Sequence, residues 1–389
     1  MKKPPAQAVL VEDTCVAPML RSSHISYILR TCASVRLGLL SLKRLVLGAL
    51  KMPHDLKTLL VIVIFCCSWQ TSTFAEKILW PTDSTVFFKG ASIDKFIQPT
   101  ASGKVESGLF GYVRNNGKRF HEGIDIKSLK KDRKGDPKDA VQAVLPGKVV
   151  HVNSIAGNSS YGRYVVLEHT SAIPPIYTLY AHLSKINPNI KKGVSVEAGT
   201  LLGTMGTTSM SDKIPKSRAH LHFEMGLMLS DNFHGWYGEQ DYSTPNMHNR
   251  WNGINLIGFD PLDCYQKFRA GKVSTIQNYL QQQPPAFTIR IPSRQVPTFI
   301  KRYPSLCKKA YDPKDIVGWE INFTWYGLPY RWTPLTTKDL FTQKSLVITE
   351  YDATLIKQHK ADRDVLVLAQ GKSPRLGKRA LQVVELLFY

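Results

Sequence analysis

The sequence predicts an all-β fold built from antiparallel sheets, and three observations support this prediction. Short runs rich in β-branched and aromatic residues recur through residues 76–265, for example at 148–152, 164–168 and 176–180. Glycine, proline and asparagine separate these runs, which is typical of tight turns and bulges between short strands. No helical periodicity in this range extends over more than a few turns. We therefore expect a mainly β domain over residues 76–265.

Residues 1–75 are predicted to be a leader that precedes the folded domains. Lys57 is followed by an apolar run over 58–69 and then by small and polar residues that end at Ala75, which is the layout of a secretory signal. The run is shorter than the roughly 20 residues that a membrane-spanning helix needs. We therefore expect cleavage near Ala75 and export to the periplasm, the cell envelope or the extracellular space.

The residues before Met52 do not belong to a normal secretory signal, so Met52 is the suspected true start. Alternatively, residues 36–51, which alternate leucine and basic side chains, form a basic leader that lies on a membrane surface. Membrane contact is expected only through this leader.

The chain is strongly basic, with a net charge of +21 over 389 residues. A positive surface concentrates polyanions, so we expect an anionic partner such as nucleic acid, a phospholipid surface or an anionic wall polymer. Residues 76–389 keep 42 Lys and Arg against 27 Asp and Glu, so the basic character does not depend on the leader. No zinc-finger, helix-turn-helix or RNA-binding signature occurs, and we therefore expect no nucleic-acid partner. We also expect a monomer.

A second, smaller β-rich module of unknown role is predicted over residues 266–389, after a Pro-containing linker or hinge at 281–285. Its predicted strands cover residues 287–291, 319–326, 346–349 and 364–369. Cys264 and Cys307 are the two cysteines that follow the leader. In an oxidising compartment they form a disulfide, and the alternative is two unrelated buried thiols.

The most informative stretch is 219–225, in which polar and apolar residues alternate strictly from His220 onward. On a strand, successive side chains point to opposite faces, so His220, His222 and Glu224 share one face. In a helix, positions two apart do not face each other. The spacing therefore predicts a strand that projects two imidazoles into the same space.

A second stretch of this kind contains His121 and Asp125. Gly123 and the β-branched residues around it favour an extended or bulged strand, on which His121 and Asp125 converge on one side. This is not the helical His-Glu-x-x-His zinc motif, because position 125 is Asp and Gly123 weakens a helix. A third segment supplies His182, which follows a predicted apolar strand.

These segments provide the donor atoms of a zinc site. His121, Asp125 and His222 form a two-His, one-carboxylate set that suits one Zn²⁺ per chain and leaves the fourth tetrahedral position for water. Such an ion supports amide hydrolysis at neutral pH. His182 and His220 remain as non-ligands that can accept a proton, deliver one to a leaving amine or hold an oxyanion. The sequence does not divide these roles between them.

The pattern His-x-x-x-Asp followed by His-x-His resembles the lysostaphin-type or LytM-type zinc metallopeptidases, which have the duplicated-hybrid-motif fold. The resemblance covers about 150 residues and includes the segments 107–111, 143–149, 161–166 and 199–203. It implies an antiparallel β-sheet groove and hydrolysis of peptide bonds in the stems or cross-links of peptidoglycan. The alternative that it leaves open is a non-catalytic LytM-like module that binds the wall or activates other hydrolases.

The family's residue roles carry over to matching positions of this sequence. The resemblance implies that His121, Asp125 and His222 bind zinc and that His182 and His220 assist catalysis. Two segments depart from the family's pattern. The loop 209–218 is longer and more basic than usual, and the segment 226–260 is interpreted as an excursion that shapes one wall of the groove.

The other histidines are predicted to have structural roles. They are His151, His169, His234, His248 and His359. Glu122 neighbours His121 on a predicted strand, so its side chain should point to the opposite face.

Overall fold

The computed structural model of the protein describes residues 77–210, 214–339 and 344–389. The predicted leader, with its suspected start and cleavage sites, lies outside the described residues. The described residues belong to one compact unit that extends from Phe74 to Tyr389. Within the described part of the chain, no helix has both the length and the apolar character that crossing a membrane requires.

Strands dominate the described residues. They are β1 (Gly111–Arg114), β2 (Arg119–His121), β3 (Ile124–Lys127), β4 (Ala140–Gln142), β5 (Gly147–Asn153), β6 (Tyr164–His169), β7 (Ile176–Ala181), β8 (Leu183–Ile186), β9 (Ser195–Val196), β10 (Leu201–Met205), β11 (His220–Met228), β12 (Leu256–Phe259), β13 (Phe287–Pro292), β14 (Ile316–Phe323), β15 (Pro329–Thr336), β16 (Val347–Tyr351), β17 (Leu366–Val367) and β18 (Arg375–Leu376). The α-helices are α1 (Phe233–Gly238), α2 (Pro261–Arg269), α3 (Ile276–Gln281), α4 (Thr298–Arg302), α5 (Ala353–Gln358) and α6 (Lys378–Phe388). These strands all pair antiparallel, which confirms the predicted mainly β, antiparallel fold class.

The largest sheet has seven strands, in the order β12-β11-β7-β6-β5-β9, and β3 also pairs with β11. Strand β11 is the longest and lies between β7 on one side and both β3 and β12 on the other. In this register His222 is opposite Asp125 of β3 and opposite Ala181 of β7. The pairing therefore brings three distant segments of the sequence to one place.

Successive side chains of β11 point to opposite faces of this sheet. Leu221, Phe223 and Met225 are fully buried in the main hydrophobic core. The opposite face carries a smaller apolar cluster that includes Tyr164 and Trp251. The polar residues of β11 share this second face, as the period of two in the sequence predicts.

The carboxyl-terminal part contains a four-stranded sheet in the order β15-β14-β13-β16. The predicted strand at 319–326 is shifted, since β14 ends at Phe323 and a turn follows. Strand β15 was not predicted, because Pro329 and Pro334 argue against a strand. It forms an edge of the sheet, where proline's missing N–H is tolerated. The predicted strand at 364–369 is reduced to the two residues of β17.

Contacts from the carboxyl-terminal part support β1 and its partner β2, which ends at His121. The Tyr112 hydroxyl donates to Asp364 Oδ2 at 2.9 Å, and the Arg379 guanidinium lies 4.1 Å from the centre of the Phe120 ring. Buried residues from both sides of the predicted boundary near 265 belong to one hydrophobic cluster. The division into two modules there stays a prediction.

The two described cysteines carry separate thiols. Cys264 is buried in α2 and Cys307 is partly buried near β15. Of the two alternatives that the sequence left open, the structure shows the pair without a disulfide.

Candidate active site

Three side chains from different strands meet at the end of the main sheet. His121 Nε2 lies 3.0 Å from His222 Nδ1 and 3.1 Å from Asp125 Oδ1, and His222 Nδ1 lies 3.2 Å from the same oxygen. All three residues are buried, and their ligand atoms form a compact group that can hold a metal ion. The structure therefore brings together the three residues that the sequence predicts as ligands.

The backbone explains how His121 and Asp125 reach the same point. His121 ends β2, Asp125 lies in β3, and Gly123 stands between them. A Cβ atom at Gly123 would lie 2.2 Å from the Phe223 carbonyl oxygen, so only glycine permits this close approach to β11. Glu122 does not line the cavity in front of the three ligand atoms, consistent with its predicted orientation.

Neighbouring acceptors orient both ligand imidazoles. His121 Nδ1 donates to the Leu109 carbonyl at 2.7 Å, which leaves the Nε2 lone pair facing the other ligands. His222 Nε2 donates to Glu224 Oε1 at 2.9 Å, which leaves the Nδ1 lone pair facing the other ligands. Such outer partners fix the tautomer of a metal-binding histidine.

Glu224 is held in turn by two tyrosines, and its role was not predicted. Its carboxylate accepts from the Tyr161 hydroxyl at 2.6 Å and from the Tyr177 hydroxyl at 2.9 Å, and it is almost fully buried. The alternation of β11 placed Glu224 on the face of the two histidines, but nothing in the sequence indicated the tyrosines. This network positions His222.

The charges of the site favour an ionised Asp125. Burial alone would raise the pKa of Asp125, but its interactions with His121, His220 and the Arg114 guanidinium hold it well below its usual value. Burial would lower the pKa of His222, but the hydrogen bonds that its ring donates to the Asp125 and Glu224 carboxylates, and their negative charges, raise it to about 9. A proton therefore competes with a metal ion for His222 Nδ1.

The donor set fits zinc. Three ligands about 2.0–2.1 Å from a tetrahedral Zn²⁺ are separated by about 3.3–3.4 Å, and the three distances observed here are 3.0–3.2 Å. Two imidazoles and one carboxylate are also the protein ligands typical of a catalytic zinc. Asp125 and His222 line a cavity of about 350 Å³, so the site is open on one side.

Arg114 is a further component that the sequence did not reveal. Its guanidinium forms a close ion pair with Asp125 Oδ2, and Nη2 lies 2.8 Å from His121 Nε2. Arg114 ends β1, which pairs with the strand that carries His121. An arginine seven positions before a histidine has no recognisable spacing, so the sequence contained no signal for this contact.

His182 and His220 face the same cavity beside the ligand group. Their ring centroids are 4.8 Å apart, and His220 Nε2 lies 3.6 Å from Asp125 Oδ1. His182 Nδ1 donates to the Thr208 carbonyl at 2.7 Å, and His220 Nδ1 donates to the Arg218 carbonyl at 2.8 Å. Each ring therefore keeps Nε2 as a proton acceptor.

Both imidazoles are neutral bases at neutral pH. Burial lowers the pKa of His182 well below its usual value, and the nearby His220 and His222 lower it further. Burial also lowers the pKa of His220, against the opposing charge of Asp125. His182 has a φ of +61°, which non-glycine residues rarely adopt. Its backbone N–H donates to the Tyr161 carbonyl at 2.9 Å, which helps to hold it there.

Other histidines make structural contacts away from the ligand group. Buried His169 bonds the Pro146 carbonyl at 2.8 Å and Thr178 Oγ1 at 2.7 Å. His359 stacks on Trp325 with centroids 4.0 Å apart. His151 and His248 contact each other, and His234 is exposed.

The two segments that depart from the family's pattern have different positions. Ser209, Ile214 and Arg218 of the long loop line the cavity, whereas the described lining residues include none from 226–260. The interpretation of 226–260 as a groove wall was therefore wrong. Phe233, Trp236 and Trp251 of this segment are buried, and Trp251 belongs to the apolar cluster against which Tyr161 packs.

Comparisons with solved structures found low overall similarity. The catalytic domain of the antimicrobial peptidase lysostaphin from Staphylococcus simulans is 22% identical, with 45% of this chain and 95% of that chain covered and a TM-score of 0.27. The catalytic domain of the prophage-encoded M23 protein EnpA from Enterococcus faecalis is also 22% identical. The match covers 34% of this chain and 80% of that chain, with a TM-score of 0.24. A zinc-containing peptidase from Vibrio cholerae is 27% identical. The match covers 34% of this chain and 33% of that chain, with a TM-score of 0.24. A search of the curated proteins found no match to this chain.

Part of the chain matches a model of a protein family. The family model described as peptidase family M23 matches residues 119–231. The matched segment contains all three residues of the ligand group and both neighbouring imidazoles. Residues 119–231 of the chain therefore match peptidase family M23, as the resemblance to lysostaphin-type peptidases predicted.

Proposed function

We propose that the protein is an exported zinc metalloendopeptidase that hydrolyses peptide bonds in the stems or cross-links of peptidoglycan. The observation that supports this function most strongly is the meeting of His121 Nε2, Asp125 Oδ1 and His222 Nδ1, with mutual distances of 3.0–3.2 Å, at the edge of an open cavity. Two further imidazoles beside this group supply the acid–base chemistry that amide hydrolysis needs.

The three ligands would hold one Zn²⁺ per chain. When bound, the ion supplies Lewis acidity that allows an amide to be hydrolysed at neutral pH. The protein contributes a rigid setting for it, because Glu224 and the Leu109 carbonyl fix the tautomers of the two ligand imidazoles.

His182 and His220 move protons in this proposal. The Nε2 atom of one ring accepts a proton from the water that attacks the amide carbon. As the C–N bond breaks, the same or the other ring returns a proton to the leaving amine. Their lowered pKa values keep both rings unprotonated before the reaction. The Thr208 and Arg218 carbonyls hold Nε2 of each ring toward the cavity.

The peptidoglycan substrate is supported by the motif's resemblance to lysostaphin-type peptidases and by the positive charge of the chain. A basic surface favours encounter with the anionic polymers of a cell wall. Export follows from the predicted signal over residues 58–75.

Digestion of purified sacculi tests this function. The zinc-loaded protein should release soluble peptides, and mass spectrometry should find fragments that each carry one added water at a cleaved amide. The His220→Ala variant and a chelator-treated sample are the controls, and both should release little. If the zinc-loaded protein binds sacculi but releases no peptide, the non-catalytic wall-binding alternative holds instead.

A further inference from the structure

A second, larger cavity adjoins the one in front of the ligand group. Its volume is about 1060 Å³, and it shares Thr100, Arg114, Arg119 and Arg218 with the smaller cavity. The two cavities therefore adjoin along these four residues. A substrate that reaches His220 and His222 can extend from there into the larger cavity.

The larger cavity is strongly basic. Its charged lining residues are Lys104, Arg114, Arg119, Arg218, Lys360 and a single acid among those described, Glu106. We refer to this surface as the basic groove.

Most of these cations have no anionic partner among the residues that the structure describes. Arg114 pairs with Asp125, but Arg119 and Arg218 form no ion pair with any described residue. Elsewhere in the chain, Arg290 and Arg302 are paired with acidic residues. Two arginines without an ion pair to a described residue thus line both cavities, where their positive charge attracts an anionic ligand.

We propose that the basic groove binds a carboxylate of the substrate peptide close to the bond that is cut, with Arg119 and Arg218 as specificity-determining residues. This inference rests on the proposed peptidase function and adds a substrate class to it. The preferred peptides carry free carboxylate groups near the scissile bond. Peptides in which these groups are amidated are poorer ligands.

The arrangement favours a peptide carboxylate over a long polyanion. A planar guanidinium matches the two oxygens of a carboxylate in a bidentate contact. The groove offers a few cations in a cavity that adjoins the one in front of the ligand group, so one molecule can place both its anion and its scissile bond there. A repeating phosphodiester polymer would need an extended row of cations to gain comparable affinity.

Binding measurements on the full chain test the inference without relying on cleavage. A soluble wall peptide with free side-chain and terminal carboxylates is titrated into the zinc-loaded His220→Ala protein by calorimetry, and the same peptide with amidated carboxylates is titrated for comparison. We expect amidation to weaken binding about tenfold. Arg119→Gln and Arg218→Gln, each added to this background, should weaken binding of the carboxylate peptide roughly threefold, the range of exposed ion pairs. Neither should change binding of the amidated peptide.

Arg294→Gln is the matched control, because Arg294 is exposed and lines neither cavity. It removes the same charge and should leave both affinities unchanged. Unfolding midpoints equal to that of the parent protein would show that the groove variants are folded.

Equal affinity for the two peptides would overturn the inference, as would a loss in Arg294→Gln equal to that in the groove variants. A phosphodiester polymer that displaces the peptide and depends on the same arginines would also overturn it. Cleavage of sacculi without discrimination between the peptides would refute the inference alone. Discrimination between the peptides without cleavage of sacculi would refute the peptidase function alone.

Discussion

At the residue scale, the site works by assigning one nitrogen of each imidazole to a fixed acceptor. In His121, His182 and His220 the Nδ1 atom donates to a backbone carbonyl, and in His222 the Nε2 atom donates to Glu224. The remaining nitrogen of each ring faces the cavity or another ligand atom. Two of these nitrogens belong to the ligand group, and the other two are available for proton transfer.

This division predicts two classes of variant. His121→Ala or Asp125→Ala should abolish zinc retention, because each removes one of three protein ligands. His182→Ala or His220→Ala should keep zinc bound and lower turnover by roughly 10²–10⁴, the range for lost acid–base help. Zinc content by mass spectrometry and peptide release from sacculi measure the two effects. Equal zinc loss in all four variants would contradict the division.

Arg114 provides a second prediction at this scale. Its Nη2 lies 2.8 Å from His121 Nε2, and one lone pair cannot serve both a guanidinium and a metal ion. We expect Arg114→Gln to raise zinc affinity roughly tenfold, the lower end of the effect of changes around metal ligands. Competition with a zinc-binding dye measures it. A weaker site in Arg114→Gln would show instead that Arg114 supports the site by orienting Asp125.

At the element scale, strand pairing and one loop contact set the geometry. Strand β11 takes its register from β3 and β7, which places His222 opposite Asp125 and Ala181. The loop residue Thr208 then fixes His182 through its carbonyl. Gly162 lies against Thr208, since a Cβ atom at Gly162 would come within 2.2 Å of the Thr208 carbonyl oxygen.

Gly162→Ala should therefore displace the acceptor of His182. The φ of +63° at Gly162 also disfavours any side chain. We expect turnover to fall at least about tenfold, a modest share of the acid–base contribution, with zinc content unchanged. Gly157→Ala is the control, because its Cβ would meet no atom within 4 Å, and it should retain activity. Full activity in Gly162→Ala would show that the Thr208 contact is dispensable.

The elements differ in how far the sequence could predict them. The alternation of polar and apolar residues at 220–225 was sufficient to predict β11, because successive side chains of a strand point to opposite faces. Strand β15 was missed because Pro329 and Pro334 are acceptable only at an edge, and the sequence does not show which strands are edges. Arg114 was missed because its proximity to Asp125 depends on tertiary packing. The acceptors of His121 and His182 are backbone carbonyls, which any residue can supply.

At the scale of the whole molecule, buried histidines couple stability to pH. Burial lowers the pKa of His169 to about 4, although its bond to the Pro146 carbonyl opposes this. The unfolded chain has the usual histidine pKa of about 6.5, so it binds a proton that the folded protein does not. The contribution of His169 to the free energy of unfolding is therefore fully present above about pH 6.5 and is lost as the pH falls toward 4.

His169→Gln should flatten this dependence. The free energy of unfolding of the parent protein should fall by up to about 3 kcal/mol more than that of the variant between pH 6.5 and 4. Denaturant unfolding in the presence of a chelator measures it without a contribution from metal release. His234→Gln is the control, since His234 is exposed, and should behave like the parent. An unchanged pH dependence in His169→Gln would contradict the assignment.

The proposed function requires an open zinc site formed by His121, Asp125 and His222. X-ray absorption at the zinc edge of the purified, metal-loaded protein tests it most directly. We expect two imidazole nitrogens and two oxygens about 2.0–2.2 Å from the ion, one oxygen from Asp125 and one from water. A sulfur ligand, a fourth protein ligand in place of water, or a protein that retains no zinc would contradict a catalytic zinc site at these residues.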